Sequence, residues 1–214
     1  PGNPERYLVN MFQGGLGLPD ESYYHDEKYA AYRDAYVPYI SNMLQHAGWS
    51  AEDADKDAQT IMNFETNLSK LHWNVVETRD AEKTYNLITF EHLKKMTPTL
   101  DWDAYLKGMQ LDSKILFESV VMTPSFFEGL DSVYNEGNIA AVRLWLQWQV
   151  INSTAPYLSE DFVNTRFDFY GKTLTGQPEM RARWKRGVQI VEGALGEAVG
   201  EIYVAKHFPP QAKE

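Results

Sequence analysis

The 214-residue chain contains no cysteine, so disulfides, thiolate zinc sites and cysteine nucleophiles are excluded whatever its surroundings. It also lacks any long apolar run. The most hydrophobic stretch, Ile139 to Ile151, is broken by Arg143, Gln147 and Gln149 and falls far short of the ~20 residues of a membrane span. Positive charge is scarce: 20 Lys and Arg stand against 30 Asp and Glu, a net charge of −10. Such a chain repels phosphate backbones and anionic headgroups, so nucleic acid is not expected as a partner. No repeat or low-complexity tract is present. What remains is 43% hydrophobic residues, enough for a chain of this size to bury roughly 70% of its unfolded surface in a core.

Helical spacing dominates. Tyr29, Tyr32, Tyr36 and Ile40 predict a helix within 20–48, with Pro38 as a kink. Ser50 and Asp53 form a capping arrangement before Ala58, Ile61, Met62, Leu68, Leu71 and Val75, the clearest amphipathic pattern. Thr89 and Asp101 cap two short helices, Pro98 ending the first. Thr123-Pro124 opens another, expected to stop near Gly137-Asn138. Ile139 to Tyr157 is apolar on nearly all faces and predicts a central, surrounded helix. Ser159 caps the next, ending around 171–176, and Pro178 opens a last helix to His207 before Pro209-Pro210. Extended backbone is expected at Tyr7 to Phe12, without an evident partner strand, and at Lys114 to Met122. The fold class is therefore mainly α, a multi-helix lobe with a short extended N-terminal segment.

Catalytic motifs are missing. A zinc site of the HExxH kind needs Glu after the first His and a second His four residues on. Those positions after the five histidines hold Asp26, Ala47, Trp73, Leu93 and Phe208, and Tyr29, Ser50, Val76, Met96 and Gln211. His72 shares a stripe with Leu68 and Val75, with Glu65 on a similar face, and reads as a hydrogen-bonded core histidine. Gly15-Leu16-Gly17 fails as a dinucleotide loop because Asp20 occupies the third glycine position. Glu52, Asp53, Asp55 and Asp57 crowd a helix N-terminus, where the macrodipole favours them. Residues 161–190 reverse the overall balance, with six basic against three acidic side chains. Arg181, Arg183, Lys185 and Arg186 either hold an acidic partner or pair with carboxylates of neighbouring helices.

Three phrases together resemble the neprilysin family of zinc endopeptidases, especially its bacterial oligopeptidase branch: GGLGLPDESYY at 14–24, KTYNLITFEHLKKMTPTLDW at 83–102, and the run from APYLSEDF to HFPP at 155–210. The similarity covers essentially the whole chain. It implies the N-terminal, mainly helical lobe that closes over a central cavity, with zinc held elsewhere in the parent enzyme and none by this segment. No catalytic or metal-binding residue carries over, since HExxH, ExxxD and a substrate-gripping Asn-Ala-aromatic-Tyr segment are all absent. The implied partners are the catalytic domain of the same polypeptide and oligopeptide substrates. Residues 1–19 are expected to belong to the wall of the catalytic cleft and 20–214 to the substrate-enclosing lobe. The opening Pro1-Gly2-Asn3-Pro4 reads as a segment of a longer protein. Where some animal members carry arginines around LGLP, this chain has Gly15, Asp20 and Glu21, so a clamp for a C-terminal carboxylate is not expected. Absence of cysteine favours the cytoplasm, or export without disulfides. A free-standing helical interaction module, binding an acidic partner through Arg181 to Arg186, is the alternative.

Overall fold

A computed structural model describes residues 5–208. The start at Pro1 to Pro4 and the stop at Pro209-Pro210 lie outside them. The molecule is mainly α. Three helices packed on one another form its centre: α2 (Ala30–His46), α3 (Ala51–Ser69) and α7 (Ile139–Thr154). Ala54 and Ala58, one turn apart on α3, let α2 approach closely enough for Tyr36, Ile40, Met43 and Leu44 to be fully enclosed with Ile61 and Leu68. The Ser50 hydroxyl accepts from the Asp53 amide at 3.1 Å and donates to its carboxylate at 2.7 Å, giving α3 the expected start. Thr89 and Asp101 likewise cap α4 (Phe90–Met96) and α5 (Trp102–Gly108). The helix of α2 continues through Pro38. Ahead of it lie α1 (Ser22–His25) and a 3-10 turn at Glu27–Tyr29.

Several expectations are corrected. The N-terminal strand β1 (Val9–Met11) does have a partner: it pairs in parallel with β3 (Glu118–Val121), Val9 opposite Ser119 and Met11 opposite Val121. On its other side β3 pairs antiparallel with β2 (Leu87–Thr89). The partner lies 110 residues away, beyond the reach of any local pattern. Thr123 caps no helix, because its hydroxyl accepts the Gln13 amide at 3.1 Å and extends the β1–β3 seam. The helix it precedes, α6 (Pro124–Gly129), stops early and gives way to 3-10 turns, where the Asn135 amide takes up the Asp131 and Ser132 carbonyls. Lys114 to Met122 is extended only in its second half. Leu71 and Val75 lie beyond the end of α3.

The helix expected to be surrounded is covered along one stripe. Val142, Trp145 and Trp148 of α7 are buried, whereas Ile139, Leu146 and Val150 are exposed. Ser159 stands at the start of α8 (Glu160–Arg166) without a side-chain capping bond. This helix runs into a wide π turn over Phe167–Thr173, which delivers two consecutive aromatic residues inward. Phe169 stacks on Tyr39 at 4.7 Å, and Tyr170 meets Tyr39 edge-on at 5.5 Å. The last helix, α9 (Arg183–His207), starts five residues after Pro178. Gly176 at φ +68° and the extended backbone of Ala182 keep the intervening chain out of the helix. Between Gly193 and Gly196 its geometry breaks at Leu195. Among the described residues no helix is long and apolar enough to cross a membrane.

Candidate functional site

Two features stand out: a buried polar hub that seats the LGLP segment, and an uncovered surface around α9.

The hub is built on Glu65, which falls on the buried stripe of α3 between Ile61 and Leu68 and is completely enclosed. Its Oε2 accepts from the Tyr24 hydroxyl at 2.7 Å, the Tyr36 hydroxyl at 3.0 Å and the Gly17 amide at 3.2 Å. Its Oε1 faces the Gln149 side-chain amide at 3.4 Å. The Tyr24 oxygen in turn accepts from the amides of Gly17 and Leu18, and the Tyr36 oxygen from the Trp148 indole. The backbone from Gly14 to Leu18 is tied down at several points. Gly14 C=O meets His72 Nε2, Gly15 C=O accepts from Trp145 and Gln149, and Gly17 C=O accepts from Tyr170 at 2.8 Å. Gly15 adopts φ +93°, and Gly17 passes so close to Tyr36 that no Cβ fits. Burial pushes the Glu65 carboxyl up to about 7, against the opposing pull of its hydrogen bonds from Tyr24, Gly17 and Tyr36.

His72 is half-buried rather than central, with its ring against the edge of Phe126. Burial lowers its pKa. The other histidines are scattered: His25 meets Ser69 and His46 meets Thr165, while His92 and His207 are exposed. Among the described residues no three His, Asp or Glu side chains gather as a metal would need. Of the four carboxylates near the start of α3, Asp55 accepts from Ser41 and Asp57 from the Trp49 indole, giving those two structural duties. In the sequence Glu65 reads only as a neighbour of His72 and Tyr36 only as part of a helical stripe, and nothing singles out Tyr24 or Tyr170. A carboxylate on an otherwise apolar stripe was the available signal.

The second feature is α9, none of whose residues is buried. Trp184, Val188, Val191, Leu195, Ile202 and Tyr203 all lie open. At its start, Arg181, Arg183, Lys185 and Arg186 make no ion pair among the described residues. Arg186 instead donates to the Arg181 carbonyl, and Lys185 lies over Trp184. Pairing with carboxylates of neighbouring helices is therefore not what holds this turn. A groove of about 290 Å³ beside it is lined by Arg166, Tyr170, Met180 and Arg186 among others.

The geometry agrees with what the chain is similar to. The Mycobacterium tuberculosis zinc metalloprotease ZMP1 in its open state is 42% identical and superposes with a TM-score of 0.91, over 97% of this chain and 32% of that one. The same enzyme in complex with an inhibitor gives 41% identity and a TM-score of 0.91, over 95% and 31%. A neutral endopeptidase of Lactobacillus helveticus is 30% identical over 92% of this chain and 30% of its own length. Endothelin-converting enzyme 1 of Bos taurus is 25% identical over 99% and 28%. The chain thus spans about three-tenths of the length of these relatives. The family model for the N-terminal part of peptidase family M13 matches residues 1–214, and the chain belongs to that family.

Proposed function

We propose that this chain is the non-catalytic helical lobe of a zinc-dependent metalloendopeptidase, covering the active-site cavity and restricting which oligopeptides enter. The observation that supports this reading is the close superposition on one-third of a zinc metalloprotease chain. The open face of α9 fits the same picture. A helix of 25 residues that leaves Val188, Val191, Leu195 and Ile202 in water is incomplete without a cover, and the rest of the same polypeptide provides one. A roof over a peptidase site excludes folded proteins by size and water by enclosure. We assign residues 1–19 to the cleft wall; within them β1 is held by β3 and Gly17 by Glu65.

The intact polypeptide should hydrolyse a flexible oligopeptide roughly a hundredfold or more faster than the same peptide flanked at both ends by folded domains, because exclusion from a closed site is steeper than pocket discrimination. Equal rates would remove the covering role. In a second comparison, free-acid and amidated forms of one peptide should differ by less than about threefold, since Gly15, Asp20 and Glu21 offer no guanidinium to a C-terminal carboxylate. A strong preference for the free acid would place a clamp there.

A second reading, a module that binds an acidic partner, draws support from Arg181, Arg183, Lys185 and Arg186, which make no ion pair among the described residues. If the intact polypeptide cleaves no peptide, this reading takes precedence.

A further inference from the structure

The hydrogen positions around Glu65 are dictated by its neighbours. Tyr24 Oη receives two backbone amides and Tyr36 Oη receives the Trp148 indole, so each hydroxyl has only its own proton left to give, and both point it at Glu65 Oε2. With the Gly17 amide, that oxygen faces three donors. No lysine, arginine or histidine pairs with the carboxylate among the described residues. The arrangement is that of an anion held by neutral dipoles alone, in a fully enclosed place. The other oxygen, Oε1, faces Gln149. This amide also donates to the Gly15 carbonyl at 3.4 Å, and an amide can be turned end for end.

We propose that Glu65 is a proton-operated clamp on the Gly15–Leu18 segment. As a carboxylate it holds the Gly17 amide and leaves Gln149 tied to Gly15; on taking a proton at Oε1 it turns the Gln149 carbonyl towards itself and frees the Gly15 carbonyl from that tie. The proton comes from solvent and returns to it, and no covalent bond other than O–H is made or broken. Gly15 keeps its second donor, the Trp145 indole, so the segment loosens without leaving its seat. The Gly17 amide exchanges a charged acceptor for a neutral one.

Of the groups that touch the carboxylate itself, Glu65 is the one whose titration burial moves into the neutral range. From α1 it is faced by Tyr24, from α2 by Tyr36, and through Gly17 by Tyr170 of the π turn, all three raised above the ordinary phenol value by burial and hence neutral. From α7 it is faced by Trp148 and Gln149, which do not titrate. His72 keeps its bond to the Gly14 carbonyl whether neutral or charged, because a carbonyl accepts its N–H in either state. His25 meets Ser69, one turn further along α3.

The direction of the linkage gives the proposal a signature. Burial raises the Glu65 carboxyl to about 7, so the folded state takes up the proton more readily than the unfolded chain. Overall stability is then fully gained below the ordinary carboxylate range and lost as pH rises through about 7. Protection of the Gly15–Leu18 amides runs the opposite way, rising as the clamp ionises.

Hydrogen exchange of the intact polypeptide, read by mass spectrometry on fragments spanning residues 13–20 and corrected for intrinsic rates, tests this. Protection of that segment should rise about fivefold between about pH 5 and pH 8, while the unfolding midpoint falls. In Glu65→Gln both trends should flatten. Should that variant not fold, Gln149→Met retains the titration, visible as the C=O stretch of a protonated carboxyl in infrared difference spectra, but should lose the Gly15 share of the change. Protection independent of pH in the parent protein, or an unchanged profile in whichever variant folds, overturns the proposal. It holds whatever peptide the polypeptide cleaves.

Discussion

Replacing Gly17 by alanine is expected to destabilise the fold by roughly 2–5 kcal/mol, combining overpacking with the loss of buried hydrogen bonds. An added Cβ would stand 1.7 Å from the Tyr36 hydroxyl and 3.3 Å from Glu65 Oε2. Tyr36 cannot withdraw. Its ring is fully buried between Phe169, Tyr39 and Trp148, and a phenol has no flexible end to fold away. The backbone of the segment must then lift, and with it go the Gly17 and Leu18 amides and the Tyr170 bond to the Gly17 carbonyl. The control lies three residues earlier. Gly14→Ala meets nothing within 4 Å and should shift stability by less than about 1 kcal/mol. Denaturant unfolding of the intact polypeptide, followed by tryptophan fluorescence, separates the two; equal midpoints would show that the close approach at Gly17 carries no energetic weight.

Trp148→Ala should cost about 3–5 kcal/mol, the upper end for a core truncation. The indole is fully buried on α7, meets Tyr39 edge-on at 5.5 Å and Tyr36 at 6.3 Å, and donates its N–H to the Tyr36 hydroxyl. Trp148→Phe restores much of the ring but not the donor, and should retain a deficit of at least about 1 kcal/mol. Gln147, the exposed neighbour on the same helix, should tolerate alanine within about 0.5 kcal/mol. A midpoint for Trp148→Ala close to that of Gln147→Ala would mean that the three-helix centre does not depend on this residue.

How much of this was legible follows from the range of each interaction. Caps that act within three residues, at Ser50, Thr89 and Asp101, could be read directly, as could the period of α3. Thr123 suits a cap but forms none because its hydroxyl is engaged with Gln13, and Ser159 makes no capping bond either. The parallel pairing of β1 with β3 left no local trace. In α7 the apolar residues lie on all sides, but composition cannot distinguish a helix surrounded by others from one covered along a single stripe; Leu146 and Val150 lie on the exposed side. Glu65 was in view as a neighbour of His72, yet periodicity places a side chain on a face without naming what meets it. Its partners come from residues 17, 24, 36 and 149, which only the folded chain assembles.

The pairing of β1 with β3 bears on biosynthesis. Because the first strand pairs with residues 118–121, and the Gly17 carbonyl takes its hydrogen bond from Tyr170, the start of the chain has to wait on the ribosome until most of the lobe has emerged. During that interval Val9, Met11 and the LGLP segment are exposed apolar sequence. Nascent chains arrested before residue 118 should hold them accessible to chaperones, and those extended past the π turn should conceal them.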